Sequence, residues 1–111
     1  MKNSIIIAIT LLFTVLTTNS FARDILTKAN IKVSGNCGMC KERIEKAAKI
    51  NGVKNAEWNE ETKILSVVFA PEKNSLDNIR QSIANAGYDT DKIKAKEEVY
   101  SKLHTCCQYE R

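Results

Sequence analysis

The chain has 111 residues, of which 43% are hydrophobic and 27% are charged, and its formal net charge at pH 7 is +4. This length supports one small domain with a modest core and excludes two domains of ordinary size. Acidic and basic residues are interspersed without a basic block, so the sequence gives no support for nucleic-acid binding, although a mildly positive surface suits docking on an acidic partner.

Residues 1–22 have the features of a secretory signal peptide. Lys2 gives a short positive start, residues 5–16 form a continuous apolar run, and Ser20 and Ala22 are the small residues of a cleavage site after Ala22. The run is shorter than the roughly 20 residues that span a membrane, and an uncleaved signal anchor is the alternative. We therefore expect a periplasmic or secreted protein.

A strand and a helix are predicted first in the mature chain. Residues 25–33 indicate a strand, because hydrophobic and polar residues alternate towards its end. Residues 34–36 are turn formers, and residues 40–50 have a helical repeat that places Cys40 and Ile44 on one face.

A hairpin and a second helix are predicted next. Strands at residues 53–58 and 63–69 are joined by a polar turn and have their hydrophobic side chains on one face. Ser75 is a good N-cap for the second helix, which we expect to stop at Gly87. Residues 89–95 offer a short fourth strand.

This order of elements predicts an α+β fold, the ferredoxin-like βαββαβ sandwich. In that fold a four-stranded antiparallel sheet is covered on one face by two helices. We place the domain at residues 23–96 and a polar C-terminal tail at residues 97–111.

The four cysteines lie in two close pairs, Cys37 with Cys40 and Cys106 with Cys107. An even count in an exported chain usually indicates disulfides, but such local pairs favour metal binding or redox chemistry. Thiolates at the start of a helix are soft metal ligands, and the helix N-terminus lowers their pKa. We expect Cys40, on the apolar face, to be the more buried sulfur, and an incoming thiolate to attack from the Cys37 side.

The segment from Val33 to Cys40, together with residues 44–47, 52–53 and 85–88, resembles the heavy-metal-associated domain. This family includes copper chaperones, domains of metal-transporting ATPases and a periplasmic mercury-binding protein. The resemblance spans residues 25–95 and implies a non-enzymatic carrier. It implies that Cys37 and Cys40 bind one soft ion, Cu(I) or Hg(II) first and Zn(II) or Cd(II) next. A metal-transporting membrane protein or another metal-binding domain would receive the ion, and we expect a monomer.

The metal loop, the segment that carries Cys37 and Cys40, departs from the family pattern at one position. The family usually has Met-x-Cys-x-x-Cys, and Gly35 stands in place of that Met. Gly38 is expected to permit a tight backbone path. Met39 is interpreted as a filler of the loop or core rather than a ligand, and Tyr88 either packs near the metal loop or simply closes the core. The residues expected to support the loop are Gly35, Asn36, Gly38, Met39 and Tyr88.

The tail contains His104, the one histidine of the chain, with Cys106 and Cys107. Three alternatives stay open for these residues: a supplementary metal site, a disulfide within the tail or to the loop, and a disordered tail without a ligand role.

Two other functions compete with metal carriage. A thiol–disulfide oxidoreductase also places a Cys-Gly-x-Cys loop between a strand and a helix. A metal-responsive interaction module would change partner binding instead of delivering metal. The sequence has no carboxylate pair, Ser/His/Asp set or phosphate-binding loop, so hydrolytic and nucleotide chemistry lack support.

Overall fold

A computed structural model describes residues 25–111. The expected signal peptide lies outside these residues. None of the helices described is long and apolar enough to cross a membrane. The elements, in chain order, are β1 (Thr27–Lys32), α1 (Gly38–Ala48), β2 (Val53–Trp58), β3 (Ile64–Phe69), α2 (Leu76–Asn85), α3 (Glu97–Tyr100) and a 3-10 turn (Thr105–Cys107).

The three strands form an antiparallel sheet in the order β1-β3-β2. Leu65 of β3 lies opposite Ile31 on one side and Trp58 on the other. All three side chains are fully buried. Since directly paired residues point to the same face, this row confirms the hairpin and the apolar face predicted from the sequence.

Both long helices contribute to the same hydrophobic cluster as the sheet. Helix α1 buries Cys40, Ile44 and Ala48, which lie at the helical spacing expected. Helix α2 is capped as predicted, because the Ser75 side chain accepts a hydrogen bond from the Asn78 N–H at 3.1 Å. The domain is thus an α+β fold with two helices packed on an antiparallel sheet.

The fourth strand expected at residues 89–95 is not formed in the described part of the chain. A single bridge joins Val33 to Thr90, flanked by a hydrogen bond from the Ser34 N–H to the Asp89 carbonyl at 2.9 Å. Thr90 then closes a turn, since its N–H donates to the Ile93 carbonyl at 2.8 Å and its hydroxyl accepts from the Ile93 N–H at 2.9 Å. This turn removes the backbone groups that a longer ladder would need.

The C-terminal segment is folded against the domain. Leu103, Cys107 and Tyr109 belong to the buried core. The Tyr109 hydroxyl donates to the Gly87 carbonyl and accepts from the Asp89 N–H, each at 2.8 Å. The segment from residue 97 onward, expected to be a polar tail, therefore contributes to the core of the domain.

Candidate metal centre

Cys37 and Cys40 lie at the N-terminus of α1. Cys37 is the N-cap, with extended backbone (φ −135°, ψ −178°), and Cys40 lies in the first turn. Cys40 is fully buried and Cys37 is half-buried, as the apolar face of the helix predicted. Their Sγ atoms are 3.9 Å apart. One ion can therefore contact both sulfurs, and Cys37 is the sulfur that solvent or a partner reaches.

The helix terminus favours the thiolate form of Cys37. The backbone N–H groups of Cys40 and then Met39 lower the pKa of the Cys37 thiol, more than partial desolvation raises it. Free N–H groups and the helix dipole carry positive partial charge at this end. A thiolate is the form that binds a soft metal ion, so α1 prepares Cys37 as a ligand.

The C-terminal segment adds a third sulfur to this pair. The Sγ atoms of Cys37, Cys40 and Cys107 all lie within 4.8 Å of one another. Cys107 is fully buried, and burial, followed by the neighbouring Cys40 thiol, raises the pKa of Cys107. All four cysteines are free thiols in the structure. Three sulfurs at this spacing are a donor set that suits a thiophilic ion.

Tyr88 lines the inner side of the sulfur cluster. Its side chain is fully buried, and within residues 25–111 its hydroxyl has no hydrogen-bond partner other than the weak Cys107 and Cys40 sulfurs. Desolvation raises the pKa of Tyr88 far above its usual value, and the adjacent Cys107 and Cys40 thiols add to the effect. A buried hydroxyl with only weak partners is costly, so this group has a donor available for a charged sulfur.

The three-sulfur cluster includes neither His104 nor Cys106, although the Cys106 sulfur lies 3.9 Å from the Cys107 sulfur. His104 and Cys106 are both exposed, and the metal-ligand group formed among the described residues includes neither. The Sγ of Cys106 lies 4.0 Å from the Met39 sulfur, and the Cys106 carbonyl accepts a hydrogen bond from the Cys37 thiol at 3.6 Å. The expected set of His104, Cys106 and Cys107 is therefore divided, with Cys107 facing the loop cysteines and Cys106 at the rim.

Comparison with known protein families agrees with this geometry. The model of the heavy-metal-associated domain matches residues 31–89, more than half of the chain. The protein belongs to the heavy-metal-associated domain family.

Three similar proteins are informative. The copper chaperone CopZ of Staphylococcus epidermidis is 36% identical over 66 residues, which cover 58% of this chain and 97% of CopZ. Oxidized MerP from Ralstonia metallidurans CH34 is 28% identical with a TM-score of 0.57, covering 60% of this chain and 96% of MerP. The Cu(I)-loaded N-terminal domain of a potential copper-translocating P-type ATPase from Bacillus subtilis is 29% identical with a TM-score of 0.56, covering 65% and 100%.

Trp58 explains the departure from the family's metal loop at Gly35. A Cβ atom on Gly35 would lie 3.0 Å from the Trp58 ring and 3.0 Å from Ile44 Cδ1. The Trp58 indole N–H donates to the Val33 carbonyl at 3.0 Å, which fixes the ring beneath the loop. The sequence marked Trp58 only as a sheet residue, and its contact with the metal loop was missed because sequence spacing does not show where a large ring points.

Glu45 and Lys41 hold α1 against the end of β2. Glu45 accepts a hydrogen bond from the Trp58 N–H at 2.9 Å, and the Lys41 ammonium donates to the Trp58 carbonyl at 2.8 Å. The two side chains also form an ion pair at 2.9 Å. These contacts fix the helix that carries both loop cysteines.

Gly38 does not have the role expected for it. Apart from its chain neighbours and the local helix backbone, no described atom lies within 4 Å of the position that a Cβ on Gly38 would take, and its φ is not in the left-handed region. The loop geometry therefore does not require glycine at this position.

Proposed function

We propose that this protein is an exported carrier of one soft metal ion, with Cu(I) as the preferred cargo. The observation that carries the proposal is the pair of sulfurs 3.9 Å apart at the N-terminus of α1, in a heavy-metal-associated domain. The similar proteins described as a copper chaperone and a Cu(I)-loaded domain support copper over other ions. Hg(II), Zn(II) and Cd(II) are the competing cargoes, and the resemblance to MerP supports Hg(II) as the second choice.

The ion is proposed to pass to a partner by thiolate exchange. A partner thiol loses its proton and its sulfur bonds to the ion, while the bond to Cys37 breaks and the Cys37 sulfur takes up a proton. The oxidation state of the ion is unchanged. The half-buried position of Cys37 and the full burial of Cys40 support Cys37 as the first sulfur to be exchanged.

The features of residues 1–22 support a periplasmic or secreted location. We propose a metal-transporting membrane protein or another metal-binding domain as the partner, because a similar domain belongs to a potential copper-translocating ATPase. The protein is proposed to act as a monomer and without catalysis. Outside the cytosol, prompt metal loading or a reducing system must keep Cys37 and Cys40 from forming a disulfide.

Competition titration of the reduced protein under anaerobic conditions tests this proposal. Cu(I) is added against a chromophoric chelator, and Hg(II), Zn(II) and Cd(II) are titrated in parallel. We expect one tightly held Cu(I) per chain, lost in the double variant Cys37→Ser/Cys40→Ser and kept in Cys106→Ser. Unchanged affinity in the double variant would refute metal carriage by this loop, and catalysed reduction of insulin that needs Cys37 would favour an oxidoreductase.

A further inference from the structure

We propose that Cys107 is a third thiolate ligand, so that the C-terminal segment closes a three-sulfur site over the bound ion. This inference rests on the proposed function, because it concerns the same ion at Cys37 and Cys40. It adds a ligand from a segment that lies beyond residues 31–89, the part that matches the family model. The third ligand would make this chain a tighter holder of its ion than a two-cysteine loop alone.

The spacing of the sulfurs favours three ligands over two. With metal–sulfur bonds of about 2.3 Å, a linear two-sulfur site needs sulfurs about 4.6 Å apart, whereas a trigonal planar site needs about 4.0 Å. The Sγ atoms of Cys37 and Cys40 are 3.9 Å apart, and Cys107 lies within 4.8 Å of both. The Cys37–Cys40 separation therefore matches one side of such a triangle, and Cys107 lies near enough to supply the third corner.

The segment that carries Cys107 is anchored on both sides of it. Before Cys107, Leu103 packs on Gly87, where a Cβ atom would meet Leu103 carbons at 2.9 to 3.3 Å. After it, Tyr109 bonds to the backbone of Gly87 and Asp89, and its ring stacks with Tyr88 at a centroid distance of 6.1 Å. These contacts fix the Cys107 sulfur in the core and limit the entropy that ordering the segment would otherwise cost on binding.

Tyr88 supplies a second, independent indication of a ligand at this point. Its hydroxyl is fully buried beside the Cys107 and Cys40 thiols, and apart from these two weak sulfur partners no described residue offers it a hydrogen bond. Hydrogen bonds to charged acceptors are stronger than those to neutral ones, and a donor placed next to metal ligands typically strengthens metal binding. A thiolate bonded to a metal ion would give the Tyr88 hydroxyl a charged acceptor in place of a weak neutral thiol.

The binding step balances without an oxidant or a reductant. Each of the three thiols loses one proton to solvent as its sulfur bonds to Cu(I), which keeps its oxidation state. Cys106 is not assigned as a ligand, because its exposed sulfur touches the Cys107 edge of the cluster, at 3.9 Å, and turns to the Met39 sulfur at 4.0 Å.

X-ray absorption spectroscopy measures how many sulfur atoms are bonded to the copper ion. The sample is the mature protein as purified from cells, reduced and then loaded with one equivalent of Cu(I). We expect three sulfurs in the wild type and in Cys106→Ser, and two in Cys107→Ser with a shorter mean Cu–S distance. Removing a side chain that only hydrogen-bonds to a metal ligand weakens metal affinity about 10- to 100-fold. Removing the Cys107 thiol, a direct ligand, should therefore weaken Cu(I) affinity by at least about tenfold. Cys106→Ser is the matched control, since it makes the same change at the neighbouring residue.

Two sulfurs in the wild type, or a Cys107→Ser protein with the wild-type count and affinity, would overturn the inference. The wild-type count requires no variant, so a misfolded Cys107→Ser protein leaves the test intact. Failure here is distinct from failure of the proposed function. If two sulfurs are found and binding still depends on Cys37 and Cys40, the carrier function stands and the third ligand does not; if the Cys37→Ser/Cys40→Ser variant binds normally, both fail.

Discussion

The Arg111 guanidinium donates to both carboxylate oxygens of Asp89, with each donor–acceptor distance 3.0 Å. Asp89 is buried and also accepts a hydrogen bond from the Ala95 N–H at 2.8 Å. This two-bond pair joins the last residue of the chain to the segment that follows α2. A paired carboxylate at this depth helps to hold the C-terminal segment, which carries Cys107, against the domain.

Removing the guanidinium should loosen that segment. For Arg111→Ala we expect a loss of about 1–3 kcal/mol in the free energy of unfolding, because the buried Asp89 side chain loses its two hydrogen bonds from the guanidinium. We also expect faster alkylation of Cys107 in the metal-free protein. Denaturant unfolding and mass spectrometry after timed iodoacetamide treatment measure the two effects. Glu110→Ala, a change at an exposed neighbour, is the control, and equal Cys107 labelling in both variants would contradict the anchoring role.

Gly35 and Gly38 should respond differently to the same substitution. Gly35→Ala places a Cβ atom 3.0 Å from the Trp58 ring, so we expect a loss of about 1–3 kcal/mol in the free energy of unfolding. Gly38→Ala meets open space in the first turn of α1 and should change stability by less than about 1 kcal/mol, with a gain in helix propensity. Thermal and denaturant unfolding of both variants decides this, and a tolerated Gly35→Ala would show that the Trp58 ring shifts easily.

The sequence was sufficient for the features that depend on local chemistry. The period of two in β2 and β3, the helical repeat from Cys40, and the Ser75 cap each depend on residues close in the chain, and each is present in the structure. The close approach of Cys37 and Cys40 is also a local feature, because a spacing of three residues at the start of a helix determines the distance between their sulfurs.

Features that depend on long-range packing were not predictable in this way. Cys107 and Cys37 are 70 positions apart in the sequence, and no periodicity connects them. The sequence grouped Cys107 with His104 by proximity, whereas the fold places it with the loop cysteines. The fourth strand failed for a related reason, because the hydroxyl of Thr90 forms a local turn that competes with strand pairing.

Tyr88→Phe should separate the cost of the buried hydroxyl from its benefit. In the metal-free protein the described residues offer the hydroxyl only weak sulfur partners, so its removal should leave the stability unchanged or slightly raised. In the loaded protein we expect Cu(I) affinity to fall by about tenfold, the size of one hydrogen bond to a charged group. Unfolding curves and chelator competition measure the two quantities. The number of sulfurs bonded to copper, measured by X-ray absorption, should stay at three. A lower stability of the metal-free variant together with wild-type Cu(I) affinity would instead mean that Tyr88 serves only the hydrophobic core.

Acid should weaken the domain partly through Glu45. Partial burial raises the pKa of Glu45, but the Trp58 N–H and the Lys41 ammonium lower it more. The pKa of Glu45 therefore lies below its ordinary value of 4.5. A carboxylate with a lowered folded-state pKa stabilises the fold above its unfolded pKa, and this contribution disappears as the pH falls through the folded value. Denaturant midpoints between pH 7 and pH 3 should therefore fall less steeply in Glu45→Gln than in the wild type, with the two curves converging at the acid end. Glu42→Gln makes the same change at an exposed position of the same helix and is the matched control.

The third sulfur should also govern how fast the ion leaves. If Cys107 must release the ion before an acceptor completes its own site, the Cys107→Ser protein should pass Cu(I) to a small dithiol acceptor faster than the wild type does. Stopped-flow transfer under anaerobic conditions measures the rate at several acceptor concentrations. Cys37→Ser should disturb the first exchange itself, because Cys37 is the reachable sulfur of the loop, and Cys106→Ser should match the wild type. Equal rates in Cys107→Ser and Cys106→Ser would mean that the C-terminal segment does not restrain the ion, and the closed three-sulfur site would then have no kinetic role in delivery.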